Sequence, residues 1–263
     1  MKFGICIGMD SEKIRALKKY GYDYAETSFS AIAKATDEEF EKFRTALETE
    51  GLKAECANGF LPGELRVTGN SVNNEALASF IEKGMERCRL IGTEIVVFGS
   101  SGARRIDAET CFTKGTQQLV SFLKDIAAPI AEKYGITIVL EPLCNNESNI
   151  VNTVKEGVMI AAMAECKNLG GLADLYHMHV ENDSIENIRD LKGSLLHSHI
   201  SNPLPRNDVK RCYPLSVEEY DYVSFIRVLK EVGCKRCSIE AATSDFDTDA
   251  QKAADLVQRL KEV

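Results

Sequence analysis

Residues 134–143 read YGITIVLEPL: a glycine able to close a helix, a short apolar run, then a glutamate and a proline. Read as a strand, side chains alternate between faces, so Thr137, Val139 and Glu141 point one way and Ile138 and Leu140 the other. The glutamate is the last residue of its face, where strand gives way to loop. How often this unit recurs decides what kind of sheet it belongs to.

The unit recurs eight times. Strands are expected at 2–8 (KFGICIG), 22–29 (YDYAETSF), 52–60 (LKAECANGF), 93–100 (TEIVVFGS), 136–143 (ITIVLEPL), 169–178 (LGGLADLYHM), 195–202 (LLHSHISN) and 236–243 (RCSIEAAT). Between them lie longer amphipathic segments, such as TDEEFEKFRTALETEG (36–51), where Phe40, Phe43 and Leu47 recur with helical spacing and Gly51 stands at the end. Glycines 21, 51, 92, 135 and 233 each follow such a segment just before a strand, where a left-handed residue turns the chain back into the sheet. Eight strand–helix units, with no GxGxxG after the first strand, specify a closed (β/α)8 barrel rather than an open doubly wound sheet. No linker or low-complexity tract interrupts the alternation, so residues 1–263 are expected to form one domain. The loop richest in turn residues is HISNPLPRNDVKRCYPLS (199–216), after the seventh strand, and long loops on a barrel usually carry function.

Composition narrows the function. A net charge of -8 and a pI near 5.2 have the wrong sign for gripping a phosphate backbone, so a nucleic-acid partner is not expected. The short basic doublets in GARRID (102–107) and CKRC (234–237) read as solvated loop charges. Nine cysteines without paired spacing fit a reducing cytoplasm. No run nears the roughly 18 apolar residues of a membrane span, and the polar start MKFGICIGMDSEK does not look like a secretory leader.

Catalytic groups of a barrel stand at the carboxyl ends of its strands. Three strands there end in a carboxylate: Glu141, Asp174 of GLAD, and Glu240, which shares a face with Ser238 in RCSIE. In LLHSH, Leu195, His197 and His199 are expected on one inward face, with His199 nearest the active end. The four histidines of the chain, 177, 179, 197 and 199, all fall on two adjacent strand ends. One carboxylate at a strand end is more often a cap or an ion-pair partner, but four converging groups make a hard, mostly oxygen ligand set suited to Mn²⁺, Mg²⁺ or Co²⁺.

LEPLCNNESNIVNTVKEG (140–157), DLYHM (174–178), HSHIS (197–201) and SIEA (238–241) together resemble the sugar isomerase/epimerase family with a xylose-isomerase-like barrel, and within it the ketose 3-epimerase branch. NGFLPGELRVTG (58–69) and VVFGSSGARR (96–105) extend the likeness into the first half. The resemblance implies one divalent metal ion, Mn²⁺ foremost, with Co²⁺, Mg²⁺ or Zn²⁺ as other candidates, held by Glu141, Asp174, His199 and Glu240. It implies Glu141 and Glu240 as the catalytic acid and base, moving a proton at C3 of a ketose through an enediolate. Glu147, His177 and Arg206 would contact a small sugar or sugar phosphate, His177 from a loop above it, and the assembly would be a homodimer or homotetramer. The chain departs from the family pattern at Asn145, at Ser201–Asn202 and at RCYPLS (211–216), which bear on substrate rather than on reaction type.

The same barrel serves aldose–ketose isomerases such as hydroxypyruvate isomerase and an inosose dehydratase. A metal-dependent endonuclease is disfavoured by the acidic charge and by the lack of histidines in the first five strands, and a non-catalytic sugar-binding protein by the four-ligand set. Glu26 and Cys56 are expected to pack the interior, Cys144 to be a buried thiol, and His197 to fill a barrel layer or support the ligands; His179 has no assigned task.

Overall fold

The computed structural model describes residues 1–206 and 208–263. Eight parallel strands close on themselves in chain order: β1 (Lys2–Cys6), β2 (Tyr24–Ser28), β3 (Cys56–Asn58), β4 (Ile95–Phe98), β5 (Thr137–Leu140), β6 (Leu169–Asp174), β7 (Leu195–Ile200) and β8 (Arg236–Ile239). Gly4 of β1 lies opposite both Tyr24 of β2 and Ser238 of β8, which seals the ring. The expected (β/α)8 barrel is the architecture found.

Helices cover the ring: α1 (Ser11–Tyr20), α2 (Phe29–Lys34), α3 (Asp37–Glu50), α4 (Asn74–Leu90), α5 (Ser101–Arg104), α6 (Phe112–Phe122), α7 (Ala128–Lys133), α8 (Val154–Met163), α9 (Leu175–Glu181), α10 (Tyr222–Glu231) and α11 (Phe246–Glu262). In α3 the expected face is the buried one, with Phe40, Phe43 and Leu47, and Thr36 and Glu39 cap its start reciprocally. The five glycines before strands all have positive φ, from 65° at Gly51 to 91° at Gly233. Among the described residues, no helix is long and apolar enough to cross a membrane.

The strands are shorter than the apolar runs, because each run continues into the loop that carries its polar end group. The run 169–178 stops at Asp174, whose side chain caps α9 and so ends the strand. A second difference lies in β7. Gly171 pairs with Leu195 but Leu172 pairs with His197, so Leu196 is an extra residue in the ladder, a bulge. Leu195 therefore packs outward in the core under the helices, and Leu196 packs against the cluster inside the barrel. Strict alternation had placed Leu195 inward with His197 and His199; the bulge shifts the phase by one residue and leaves only the two histidines there.

Apolar filling inside the ring is thin: Tyr24, Cys56, Ile95, Val97, Val139 and Leu172. Above this layer the interior turns polar. Tyr24 lies across Gly4, where a Cβ would collide with its ring, and its hydroxyl meets Ser238 Oγ at 2.8 Å. Glu26, His197 and His199 are fully buried beyond it, a costly arrangement unless every charge has a partner.

Candidate active site

Each main residue of the site is placed by a backbone device at a strand end. Glu141 follows β5, its N–H donating to Phe98 O at 3.3 Å. Its carboxylate lies over Gly99, a position any side chain would obstruct. Asp174 divides its two oxygens: Oδ1 accepts the N–H groups of Tyr176 (2.8 Å) and His177 (3.2 Å) at the start of α9, while Oδ2 faces His199. Glu240 follows β8, and Asn58 Nδ2 at the end of β3 donates to its Oε1 at 3.0 Å. That fixes the other oxygen toward the centre.

The four predicted ligands meet there. His199 Nδ1 is 2.8 Å from Glu240 Oε2, 3.1 Å from Glu141 Oε1 and 3.5 Å from Asp174 Oδ2, and the four donor atoms all lie within 4.8 Å of one another. Ligands of one hard cation stand about 2.0–2.6 Å from it, hence at most about 5 Å apart. Three carboxylates and one imidazole in that space fit a divalent ion of the Mn²⁺, Co²⁺, Mg²⁺ or Zn²⁺ kind. Charge agrees: burial, then repulsion from Glu240, raises the Glu141 carboxyl above the usual range. Burial also opposes ionisation of Glu240, but Arg211 and His199 beside it hold it lowered.

Behind His199 stands Glu26, a residue expected to pack the interior. Glu26 bridges two imidazoles, its Oε1 2.9 Å from His199 Nε2 and its Oε2 2.8 Å from His197 Nε2. Burial would raise its carboxyl, yet the two rings hold it far below the ordinary range. With Nε2 committed to Glu26, Nδ1 of His199 is left to face the cluster, the carboxylate–histidine support common behind metal ligands. Cys56 Sγ, 4.0 Å from His197 Nδ1, does pack the interior. His197, expected to fill a barrel layer or to support the ligands, bonds the Glu26 carboxylate that also bonds His199.

His177 is brought to the rim, but from α9 rather than from a loop. Its ring is fully buried, Nδ1 accepting the Cys144 N–H at 3.0 Å. The Glu147 carboxylate, Cys144 Sγ and a His177 ring nitrogen lie within 4.8 Å of one another. His179 is exposed and bonds Tyr220 at 2.9 Å.

Arg206 does not join the cluster. Its guanidinium pairs with Glu219 Oε1 at 2.6 Å and bonds Tyr213 O at 3.4 Å. Arg211 takes the central position instead. Its Nη2 donates to both Asp174 and Glu240, Nε to the Glu240 carbonyl at 3.0 Å, and Nη1 stands 3.4 Å from His177 Nε2. The physical reason is the loop's own pairing. Asn202 and Cys212 exchange backbone hydrogen bonds (2.8 and 3.1 Å) and Ala242 N donates to Arg211 O, which pins Arg211 over β8 and leaves Arg206 farther out along the excursion. Arg211 opens the RCYPLS segment flagged as a departure; its left-handed backbone (φ 57°) gave no signal in the sequence.

Arg104 was also missed. It is fully buried, donating from Nη1 to Phe98 O at 2.8 Å and from Nη2 to Glu141 O at 2.7 Å, so it ties the ends of β4 and β5 together beneath the site. Burial lowers its pKa to about 10.

A profile of the xylose isomerase-like TIM barrel family matches residues 14–263, and the chain belongs to that family. One curated relative is the 3-dehydro-D-guloside 4-epimerase of Escherichia coli K12, 24% identical over 198 residues, covering 72% of this chain and 73% of the relative. Among solved structures, D-allulose 3-epimerase from Methylomonas sp. in complex with D-allulose superposes with a TM-score of 0.81 at 19% identity, covering 98% of this chain and 96% of that one. The IOLI protein with a bound zinc atom superposes with a TM-score of 0.74 at 18% identity, over 99% and 96% of the two chains. The protein is an enzyme of the isomerase and epimerase class, as its relatives are named.

Proposed function

We propose that the protein is a divalent-metal-dependent sugar epimerase that inverts a ketose at C3. The observation that carries the reading is the convergence of Glu141 and Glu240, from β5 and β8 on well-separated parts of the ring, around one histidine with Asp174 between them. A cation held by Glu141, Asp174, His199 and Glu240 would supply Lewis acidity, making the carbon next to a coordinated carbonyl more acidic. The residues do the rest. Glu141 and Glu240 face the sugar from two sides, so one removes a proton and the other returns one to the opposite face, exchanging roles with reaction direction. Asn58 keeps Glu240 oriented, and Arg104 fixes the backbone from which Glu141 projects. Arg211, whose Nη2 bonds the Asp174 and Glu240 carboxylates, would turn from them to the sugar when a cation takes those oxygens, with His177 and Glu147 beside it.

A ketose panel incubated in D₂O tests this. Deuterium at C3 with inverted configuration is expected, lost on chelation and regained on adding Mn²⁺ or Co²⁺. Glu141→Gln and Glu240→Gln are each expected to lower kcat by about 10²–10⁴. Aldose formation, loss of water, or turnover indifferent to both substitutions would overturn it. A second reading is inversion at C4 of a 3-keto sugar, favoured by the name of the Escherichia coli relative. It uses the same proton chemistry on C4, the carbon next to a ketone at C3, and the label would then appear at C4.

A further inference from the structure

We infer that the active face carries a second carbohydrate subsite, beside the catalytic one, for a sugar unit or aglycone joined to the reacting ketose. The inference deepens the epimerase reading and rests on it for the identity of the reacting sugar. The site is a cavity of about 560 Å³ lined by Arg66, Arg105, Asp107, Thr110, Phe112 and Asn149, within the roughly 300–1,000 Å³ range of small-molecule sites. These residues come from the segments after β3, β4 and β5, which a barrel presents on its catalytic face.

The lining has the chemistry of sugar recognition: two guanidinium groups and a carboxylate able to pair with vicinal hydroxyls, and an aromatic ring, while the Asn149 amide exchanges hydrogen bonds with the Ile106 backbone and fixes the wall. Phe112 is 63% exposed although it begins a helix whose other large apolar groups are covered, so its face is free to take the apolar face of a pyranose. The two arginines are held in place by neutral oxygens. Arg66 Nη2 bonds Thr68 Oγ1 at 3.4 Å and the Arg105 carbonyl, and Arg105 Nη1 bonds the Glu147 carbonyl at 3.3 Å. Their charge and remaining N–H groups stay available. The hydroxyl of Thr110, a residue of the same wall that is 6% exposed, has no partner among the described residues.

Contacts connect the cavity to the proton-transfer centre. Arg211 touches Asp174, Glu240 and His177; His177 and Glu147 share a cluster; Arg105 holds Glu147. On this reading a ketose bound at the quartet extends toward Glu147, whose main-chain carbonyl is bonded by Arg105 of the cavity wall, and a group attached there enters the cavity. The substrate class is a ketose glycoside.

The test compares D-fructose with maltulose, leucrose and isomaltulose, which carry a glucosyl unit on O4, O5 or O6 of the same ketose and leave C3 free. At least one disaccharide is expected to show a KM tenfold or more below that of D-fructose, and Phe112→Ala or Arg66→Ala to shrink that ratio to within twofold of unity. Saturation-transfer NMR on the wild-type protein is expected to mark the glucosyl protons, and Phe112→Ala to erase the mark. Epimerisation of D-fructose with no disaccharide preference and no glucosyl saturation would overturn the subsite and leave the epimerase intact. Glucosyl saturation that depends on Phe112, with no ketose turned over, would uphold the subsite and remove the epimerase reading.

Discussion

Arg104 shows what a single buried cation does in this protein. Two strand-end carbonyls, Phe98 and Glu141, take its N–H groups, while its Nε has no partner among the described residues. An unpaired buried carbonyl or N–H costs about 1–3 kcal/mol. Arg104→Met takes this donor from the Glu141 carbonyl and leaves Phe98 O with only the Glu141 N–H, so the variant is expected to lose about 1–3 kcal/mol of stability in urea unfolding. A change below about 0.5 kcal/mol would show that the clamp is idle. In the sequence this residue sat in GARRID and read as a solvated charge, because burial of an arginine has no local signature. Glu26 escaped for the same reason: only the closed ring brings it against His197 and His199, from strands distant in the chain. Glu141, Asp174, His199 and Glu240 were legible because each stands at or directly past the end of a strand on its inward face, where period-two alternation speaks directly.

At the scale of elements, alternation predicted the strands and the helix-closing glycines, and it failed where a bulge changed its phase. Leu196 is that place, and the cue is a register that only pairing with β6 reveals. The long segment after β7 is expected to carry function from its length and turn residues; the arginine expected at the site, Arg206, pairs with Glu219 instead, and Arg211, five positions on, reaches Asp174 and Glu240, because counting along a loop ignores how the loop folds back. The exchanged hydrogen bonds of Asn202 and Cys212 set that fold. Arg211→Ala is therefore expected to raise KM for the sugar tenfold or more, about 1.4 kcal/mol of binding, and Arg206→Ala less than threefold. Steady-state kinetics of the pair checks this; the opposite ranking would return the sugar contact to Arg206.

For the molecule as a whole, the two ends of the barrel divide labour. The catalytic end concentrates buried carboxylates, while the opposite end is tied by an ionic lattice. Glu55 accepts from Lys2 Nζ at 2.5 Å and Arg236 Nε at 2.7 Å, and Arg236 reaches on to Glu94 at 2.5 Å, so the starts of β1, β4 and β8 are fastened to the residue before β3. Burial works against the Glu55 carboxylate, but Lys2 and Arg236 lower its pKa below the usual value. A carboxylate with a lowered folded-state pKa adds stability above its unfolded pKa, about 4.3, and loses it as pH falls through the folded value. Glu55→Gln is expected to lower Tm clearly at pH 7 and much less near pH 3. Equal losses at both pH values would mean that the contribution is packing, not charge.

Asp174 joins these scales. One oxygen of its carboxyl group starts α9, the helix that carries His177, and the other belongs to the proposed cation shell. Two equilibria thus share one side chain, the ordering of a helix end and the filling of a metal seat, and thermodynamic reciprocity applies to them. Whatever firms the first turn of α9 strengthens cation affinity by the same factor as the cation firms that turn. In the proposed reaction, the histidine assigned to contact the sugar would then be set in place by the ion assigned to activate it.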